Sequence, residues 1–304
     1  VLRTLVTYML LSKALTLSIG SLEEPVITQY RLAVIVHHFY RTKSFQGEGL
    51  RQLQKDRATV NEFNHVVRNL LTVGILQEHP NFGRRAFRIL GRKDPDPIEI
   101  ACTIDPFCFV SHLSAMSHHG LTNRLPAKLF VSSPAPKQWL SEASNLMSKD
   151  LGDDRESYLD AGMPKLTRLK LQRIDRVDIH RFSSIHHGAY RNVRDRQMRV
   201  ATLGRTFLDM LRNPDLCGGM QHVLEVWEEH APLYRKAIVS EFDRSGGPID
   251  KVRAGYILNE RLGLEDPTLD SWLAFVTRGG SRKLDPSEEY RPQWSDKWCL
   301  SLNI

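Results

Sequence analysis

Cysteine is scarce in this chain of 304 residues, and its four cysteines form no C-x-x-C pair. Structural zinc sites usually place thiolate ligands at that spacing, so the pattern argues against a zinc finger or ribbon. Two disulfide bonds stay possible among Cys102, Cys108, Cys217 and Cys299. Because a chain of this length can bury a core without covalent cross-links, we expect reduced cysteines in a cytoplasmic protein.

Long apolar runs are also absent. The leading stretch, residues 1–20, is interrupted by Lys13, is too short to span a bilayer and lacks a clean small-residue cleavage site. We therefore expect no membrane association. Residues 1–28 are interpreted as a leading helix packed on the domain that follows, or as a partly disordered extension.

Most catalytic signatures are missing as well. The sequence contains no Walker loop, no G-x-S-x-G and no H-E-x-x-H. Residues 280–285 (GSRKLD) lack the second carboxylate of a nucleotidyltransferase, and Asp215 with Glu225 lacks the lysine of a restriction-type nuclease. We expect no catalytic residues, with a metal-dependent nuclease-like protein targeted to DNA as the alternative.

Histidines occur in adjacent pairs at His37-His38, His118-His119 and His186-His187. Neighbouring side chains on a helix point about 100° apart, so such a pair rarely binds one ion. We interpret these histidines as structural or exposed, and expect neither a metal nor another cofactor.

Basic residues moderately outnumber acidic ones. The chain has 42 Lys and Arg against 35 Asp and Glu, a formal net charge of +7. Such an excess favours a polyanionic partner without identifying it.

The stretch from Lys55 to Leu90 has the clearest pattern. Apolar residues recur at helical spacing, at Val60, Phe63, Val67, Leu70 and Leu71. The opposite face carries side chains that can bind bases and phosphates, namely Asn61, Asn64, His65 and Arg68. Thr59 and Glu62 have the spacing of a capping box, and Gly74 is expected to end the helix.

A basic hairpin is expected to follow this helix. Strand residues begin at Ile75, Pro80–Gly83 has turn composition, and Arg84 and Arg85 follow the turn. Two further helices are predicted upstream, at 29–42 and 50–55. Three helices followed by a basic hairpin are typical of a winged helix-turn-helix, which we place at 29–91.

This interpretation predicts a double-stranded DNA partner. The side chains expected to contact DNA are Lys55, Arg57, Thr59, Asn61, Asn64, His65, Arg68, Arg84, Arg85 and Arg88. A winged helix can also serve as a protein-interaction module without DNA, which is a further alternative.

Residues 91–97, rich in proline, glycine and charge, are expected to connect this domain to a second one at 98–304. The second domain is predicted as a mixed sheet over 98–202, including a helix at 105–119, and a mainly helical part over 203–304. Helices are expected at 217–230 and 233–243, separated at Pro232. The fold class is therefore α+β.

Three blocks of this second domain resemble the AbiEi-family antitoxins. They are residues 109–122 (FVSHLSAMSHHGLT) with 130–134, residues 199–211 (RVATLGRTFLDML) with Pro214 and Gly218-Gly219, and residues 283–287 (KLDPS). The resemblance covers about residues 30–304, and the order and spacing of the blocks carry it.

The resemblance implies an N-terminal winged helix joined to a C-terminal antitoxin domain. It implies a repressor that binds inverted repeats in its own promoter and counteracts a nucleotidyltransferase-type toxin of a type IV toxin–antitoxin system, directly or only functionally. The family has no established catalytic residues. Carried over by motif, the DNA-contacting positions are the helix at 59–72 and the turn at Arg84-Arg85.

The blocks themselves have a structural interpretation. Val110, Leu113 and Met116 recur at helical spacing, and Arg205 and Asp209 are placed to form an ion pair one helical turn apart. We therefore expect these blocks to be scaffold.

Overall fold

The computed structural model describes residues 8–51, 53–92, 96–278 and 282–304. Within these ranges the fold is α+β, as predicted. The α-helices are α1 (Leu11–Gly20), α2 (Gln29–Thr42), α3 (Val60–Thr72), α4 (Pro97–Ile104), α5 (His112–His118), α6 (Pro136–Leu151), α7 (Arg155–Asp160), α8 (Leu203–Arg212), α9 (Met220–Ser245), α10 (Pro248–Gly255) and α11 (Pro267–Trp272). The β-strands are β1 (Tyr8–Leu10), β2 (Val26–Thr28), β3 (Ser44–Phe45), β4 (Glu48–Arg51), β5 (Leu76–His79), β6 (Gly83–Ile89), β7 (Phe109–Val110), β8 (Leu129–Pro134), β9 (Arg173–Ile174), β10 (Val177–Ser184), β11 (Tyr190–Asn192), β12 (Arg199–Ala201), β13 (Trp294–Ser295) and β14 (Leu300–Ser301).

The chain forms two compact units that do not follow the predicted ranges. Unit 1 contains residues 1–108, 134–177 and 195–198, and unit 2 contains 109–133, 178–194 and 199–304. The prediction of a boundary at 91–97 therefore needs correction, because helices from beyond residue 134 complete the N-terminal core. Residues 93–95 of the expected connector lie outside the described residues.

Unit 1 is built on a sheet with the strand order β2-β6-β5, all antiparallel. Helix α2 begins directly after β2, where the Thr28 hydroxyl accepts a hydrogen bond from Arg31 N at 3.2 Å. A second small sheet has the order β1-β4-β3. The apolar faces of α1, α2 and α3 close over one core, which contains Ile19, Val36, Phe63 and Phe87.

Helices α6 and α7 complete that core. Met147, Leu151 and Tyr158 are buried in the same cluster as the residues of α2 and α3. Polar contacts reinforce the packing, since Tyr30 donates to the Asp150 carboxylate at 2.9 Å. Unit 1 therefore joins segments that are distant in sequence.

The predicted helix at 50–55 is wrong. Leu50 lies in β4 and donates its backbone N–H to Lys43 O at 2.8 Å. Gln46 and Gly47 both have positive φ, 49° and 84°, which is the conformation of the tight turn that joins β3 to β4. The Gln-Gly pair therefore marks a hairpin, and the connection from α2 to α3 contains strands instead of a helix.

Residues 1–28 contain a helix of the core. Ala14, Leu15 and Ile19 of α1 are buried against the other helices of unit 1, which agrees with the expectation of a leading helix. Residues 1–7 lie outside the described residues.

Unit 2 contributes the strands β11-β12-β7-β8-β10 of one sheet, in that order. Strand β7 pairs parallel with β12 and antiparallel with β8. The predicted helix at 105–119 is correct only in its second half, because residues 109–110 form β7 and the helix begins at His112. Residue His112 has φ 49°, and α5 begins there, directly after the short strand β7.

The helical part of unit 2 is organised by α8 and α9. Helix α9 runs continuously through Pro232, where two helices were expected. The proline removes one backbone donor, but Trp227 before it and Phe242 after it are buried in one core with Phe207 of α8. This packing on both sides of Pro232 keeps the helix continuous.

Glycine at position 204 permits the close approach of these two helices. A Cβ atom at Gly204 would lie 2.5 Å from Ala237 O, so a larger residue would push α9 away. This glycine lies in the block at 199–211, and the contact supports a scaffold role for the block.

Arg205 and Asp209 form the predicted ion pair, with Nε and Oδ1 2.7 Å apart and both side chains buried. The guanidinium also donates to His186 O at 2.7 Å. A buried charge left without its partner is strongly destabilising, so each residue depends on the other.

All four cysteines are buried thiols, and none of them forms a disulfide bond. Among the residues that the structure describes, no helix has the length and apolar character needed to cross a membrane.

We expect Arg205→Met to lower the free energy of unfolding by about 3–5 kcal/mol, since it leaves the Asp209 carboxylate buried and unpaired. The double variant Arg205→Met/Asp209→Leu should recover part of that loss. The matched control is Arg84→Met, which removes an exposed pair with Glu78 and should change stability by at most about 1 kcal/mol. Urea unfolding midpoints measure the stability of the three variants. Equal losses of unfolding free energy in Arg205→Met and Arg84→Met would contradict the scaffold role.

Candidate nucleic-acid interface

Helix α3 is held at its start by the predicted capping box. The Glu62 carboxylate accepts from Thr59 N at 2.7 Å and from the Thr59 hydroxyl, and it also pairs with Lys55. The hydrogen bonds from Lys55 and Thr59 lower the pKa of Glu62 to about 2. Glu62 is therefore ionised over the ordinary pH range and complements the positive end of the helix.

The two faces of α3 largely follow the sequence pattern. Phe63, Val67 and Leu70 are buried, and Val66 is a further buried residue that the pattern missed. Val60, assigned to the apolar face, is 37% exposed. The predicted contact residues Asn61, Asn64, His65 and Arg68 are all exposed to solvent along the opposite face. Gly74, with φ 72°, follows the helix end as expected.

The β5–β6 hairpin begins where α3 ends. Leu76 pairs with Ile89 and Gln77 with Arg88, and the register shifts between Glu78 and His79. The expected turn is present, with Phe82 N donating to His79 O at 3.1 Å. Arg84 and Arg85 are exposed directly after this turn.

Three of the basic side chains predicted to contact DNA have acidic partners. Lys55 pairs with Glu62, Arg84 Nε lies 3.0 Å from Glu78 Oε1, and Arg88 pairs with Asp175. These carboxylates offset much of the positive charge that the sequence suggested.

The other three cations have no acidic partner within the described part of the chain. Arg57 donates to the Ser157 hydroxyl at 3.4 Å, and Arg68 to Asn64 O at 3.4 Å. Arg85 is exposed beside the hairpin turn. Arg68 and Arg85 are therefore the side chains best placed to pair with phosphates.

The N-terminal end of α3 is covered by the chain that follows α7. Val60 N donates to Ala161 O at 3.1 Å, and a Cβ atom at Gly162 would lie 3.6 Å from Val60 Cγ1. The backbone N–H and hydroxyl of Thr59 are both bonded to Glu62 in the cap, and Arg57 donates to the Ser157 hydroxyl. The accessible surface of α3 therefore begins at Asn61 and extends towards the C-terminal end of the helix.

A single residue fixes the hairpin from outside. The Asp175 backbone N–H donates to Asn81 Oδ1 at 2.8 Å, and its carboxylate pairs with Arg88. Asp175 has φ 51° in the turn after β9. Asp175 lies between two strand-like runs, which indicates a turn. The sequence did not indicate that this turn contacts the hairpin.

His79 supports the same turn from inside and was not singled out in the sequence. Its buried imidazole accepts from Asn81 N at 3.2 Å and contacts the Phe82 ring at a centroid distance of 4.9 Å. Burial, helped by the nearby Arg88 charge, lowers the pKa of His79 below its ordinary value. The imidazole is therefore held neutral in the folded protein.

The paired histidines make contacts of their own. The ring of His37 packs against Tyr158 at 5.3 Å, and a ring nitrogen of His119 bonds to Ala201 O at 2.7 Å. Within the described residues, no cluster of three or more metal-ligating side chains occurs. Asp215 lies beside Ser287, whose hydroxyl donates to it at 3.3 Å.

Comparison with known proteins gives little further information. No family model and no curated protein matches the chain. The crystal structure of the RV2827C protein from Mycobacterium tuberculosis is similar over 95% of this chain and 90% of that one, with 12% identity and a TM-score of 0.47. A likeness of this size carries no argument about function.

We expect protonation of His79 to destabilise unit 1. Because its pKa is lowered in the folded state, the unfolded chain binds the proton first as pH falls below about 6.5. Stability should fall by up to about 1.4 kcal/mol per pH unit for this residue, and the loss should continue down to the folded pKa. Urea unfolding at a series of pH values measures the slope.

His79→Gln should reduce that slope, since glutamine can accept from Asn81 N but does not titrate. The control is Phe82→Leu, which removes the ring contact and keeps the imidazole, so it should lower stability without reducing the slope. An identical slope in wild type and His79→Gln would show that His79 is not the titrating group.

Proposed function

We propose that this protein is a sequence-specific DNA-binding autorepressor and antitoxin without enzymatic activity of its own. In this proposal α1, β2, α2, α3 and the β5–β6 hairpin form a winged helix-turn-helix, and its target is an inverted repeat in the promoter of its own operon. The toxin it counteracts is of the nucleotidyltransferase type.

The observation that carries the DNA-binding part is the exposed polar face of α3 beside a hairpin with exposed arginines. In helix-turn-helix proteins the second helix of the motif enters the major groove and side chains on its outer face reach the bases. Asn61, Asn64 and Arg68 occupy that face here, and Arg85 supplies charge at the hairpin.

Two features modify the usual arrangement. The connection between α2 and α3 holds the β3–β4 hairpin, whereas a helix-turn-helix turn is usually three or four residues long. The covered start of α3 also moves the proposed base contacts beyond Thr59 and Val60. We therefore assign the base contacts to Asn61 and Asn64, and the phosphate contacts to Arg68 and Arg85.

The antitoxin part is supported by the sequence blocks alone. Unit 2 has a core of its own, which contains Phe207, Trp227 and Trp298. The residues of the blocks are largely occupied by packing and by the Arg205–Asp209 pair. Blocks whose residues form packing contacts suit a protein that acts by binding.

We expect Arg68→Ala/Arg85→Ala to weaken binding to the promoter DNA by tenfold or more at moderate salt. Each lost phosphate contact should also reduce the slope of log K against log salt by about 0.9. Three of the six predicted cations are paired to carboxylates and Arg57 faces Ser157, so the wild-type slope should be near −2 per protein copy, against about −5 for six free cations. Fluorescence anisotropy over a range of salt concentrations measures both quantities.

The matched control removes the same number of charges elsewhere. Lys137→Ala/Lys149→Ala changes two exposed lysines of α6 and should leave both quantities nearly unchanged. Arg84→Ala should have a smaller effect than Arg85→Ala because Glu78 already pairs with Arg84. Equal losses in the two double variants would reject α3 and the hairpin as the DNA-binding surface, and cleavage of the DNA with added Mg²⁺ would favour the nuclease alternative.

For the antitoxin part we expect rescue of growth when the full chain is co-expressed with the nucleotidyltransferase of the neighbouring gene. Arg68→Ala/Arg85→Ala should rescue growth as well as the wild type does when this protein and the toxin are both expressed from heterologous promoters. The reason is that its defect is confined to DNA binding. Arg205→Met should rescue less, in proportion to its loss of folded protein. Absence of rescue by the folded wild-type chain would reject the antitoxin assignment.

A further inference from the structure

A cavity lies between α1 and α3, inside unit 1. Its volume is about 620 Å³, within the range of about 300–1,000 Å³ that is typical of small-molecule sites. Buried side chains from both helices form its floor, among them Leu15, Val66 and Leu70. Asn61, His65 and Asn69 of α3 line it on the solvent side.

The polar side chain of Tyr40 belongs to this lining. Tyr40 is 92% buried, since 8% of its surface is exposed. No hydrogen bond to its hydroxyl is formed within the described part of the chain, although the hydroxyls of Tyr30 and Tyr158 are both bonded. The hydroxyl is therefore free to bond to water or to a ligand in the cavity.

The charges of the residues that line the cavity favour a neutral ligand. Neither lysine nor arginine lines the cavity, and the one carboxylate, Glu62, is already bonded to Thr59 and Lys55. An anionic ligand would meet no free cation there, and a cationic ligand would compete with Lys55. A neutral molecule avoids both costs.

We propose that this cavity binds a small neutral amphipathic molecule, with an apolar ring system on the Leu15–Leu70 floor and a hydrogen-bond acceptor at the Tyr40 hydroxyl. The asparagine amides and the His65 ring provide further polar contacts at the opening.

The site adjoins the surface to which DNA binding is assigned. Asn61 and His65 line the cavity and are also predicted DNA contacts. A ligand that engages these side chains competes with their approach to bases, so occupancy of the cavity weakens DNA binding. This coupling rests on the proposed function, whereas the ligand site itself does not.

The neutral probe prodan tests the site without DNA. Prodan combines a naphthalene ring system with a carbonyl acceptor, and its emission shifts to the blue in apolar surroundings and to the red when the carbonyl is hydrogen-bonded. We expect saturable binding of one prodan per chain. Tyr40→Phe should weaken it by about three- to tenfold, the contribution of one hydrogen bond, and shift the bound emission further to the blue.

Thr16→Trp should weaken prodan binding at least tenfold, since Thr16 lines the cavity and an indole would fill it. The matched control is Leu17→Trp, at an exposed neighbour outside the lining, which should bind as wild type does. Circular dichroism of both variants confirms that they fold. Non-saturable binding, or equal affinity in wild type, Tyr40→Phe and Thr16→Trp, would overturn the assignment of the site.

The coupling is tested by repeating the DNA titration at saturating prodan. The wild-type affinity for promoter DNA should fall severalfold, and that of Thr16→Trp should not respond. A wild-type affinity unchanged by bound prodan would overturn the coupling. A protein that binds prodan as expected but no DNA would instead refute the proposed function and leave the ligand site supported.

Discussion

The packing of α6 and α7 against α2 and α3 is the constraint on which unit 1 depends. It buries Met147, Leu151 and Tyr158 in the same core as Phe63 and Val67. The same segment covers the start of α3 through the Val60–Ala161 hydrogen bond, and a later turn fixes the hairpin through Asp175. The proposed DNA surface is therefore what remains accessible after these contacts are made, namely the middle of α3 and the arginines after the hairpin turn.

The Tyr40 hydroxyl and the paired cations differ in whether the protein itself supplies a partner. At the surface, carboxylates such as Glu62 and Glu78 pair with Lys55 and Arg84 and reduce the positive charge available to phosphates. The Tyr40 hydroxyl has no such partner among the described residues and lines a cavity with room for a ligand. In the two proposals the phosphate contacts lie on α3 and the hairpin, and the neutral ligand binds in the cavity between α1 and α3.

Local patterns in the sequence were sufficient for α3 and its cap, for the turn at Pro80–Gly83 and for the Arg205–Asp209 pair, because each depends on residues a few positions apart. The helix predicted at 50–55 failed because the Gln46-Gly47 turn was not recognised. The break expected at Pro232 failed because burial on both sides outweighs one missing hydrogen bond. The partners of the predicted contact residues could not be anticipated, since Arg88 meets Asp175 and Arg57 meets Ser157 far along the chain.

The division of the chain into units has a consequence for how the protein is made. Residues 1–108 leave the ribosome first, but the core of α2 and α3 is complete only after residues 134–177 have been synthesised. Unit 2 begins at residue 109, before unit 1 is finished, so the two units are interleaved in the order of translation. Domains usually fold as units during synthesis. The apolar faces of α1, α2 and α3 therefore lack their packing partners while residues 109–133 and 134–177 are synthesised. We expect chaperones to bind the nascent chain during that time.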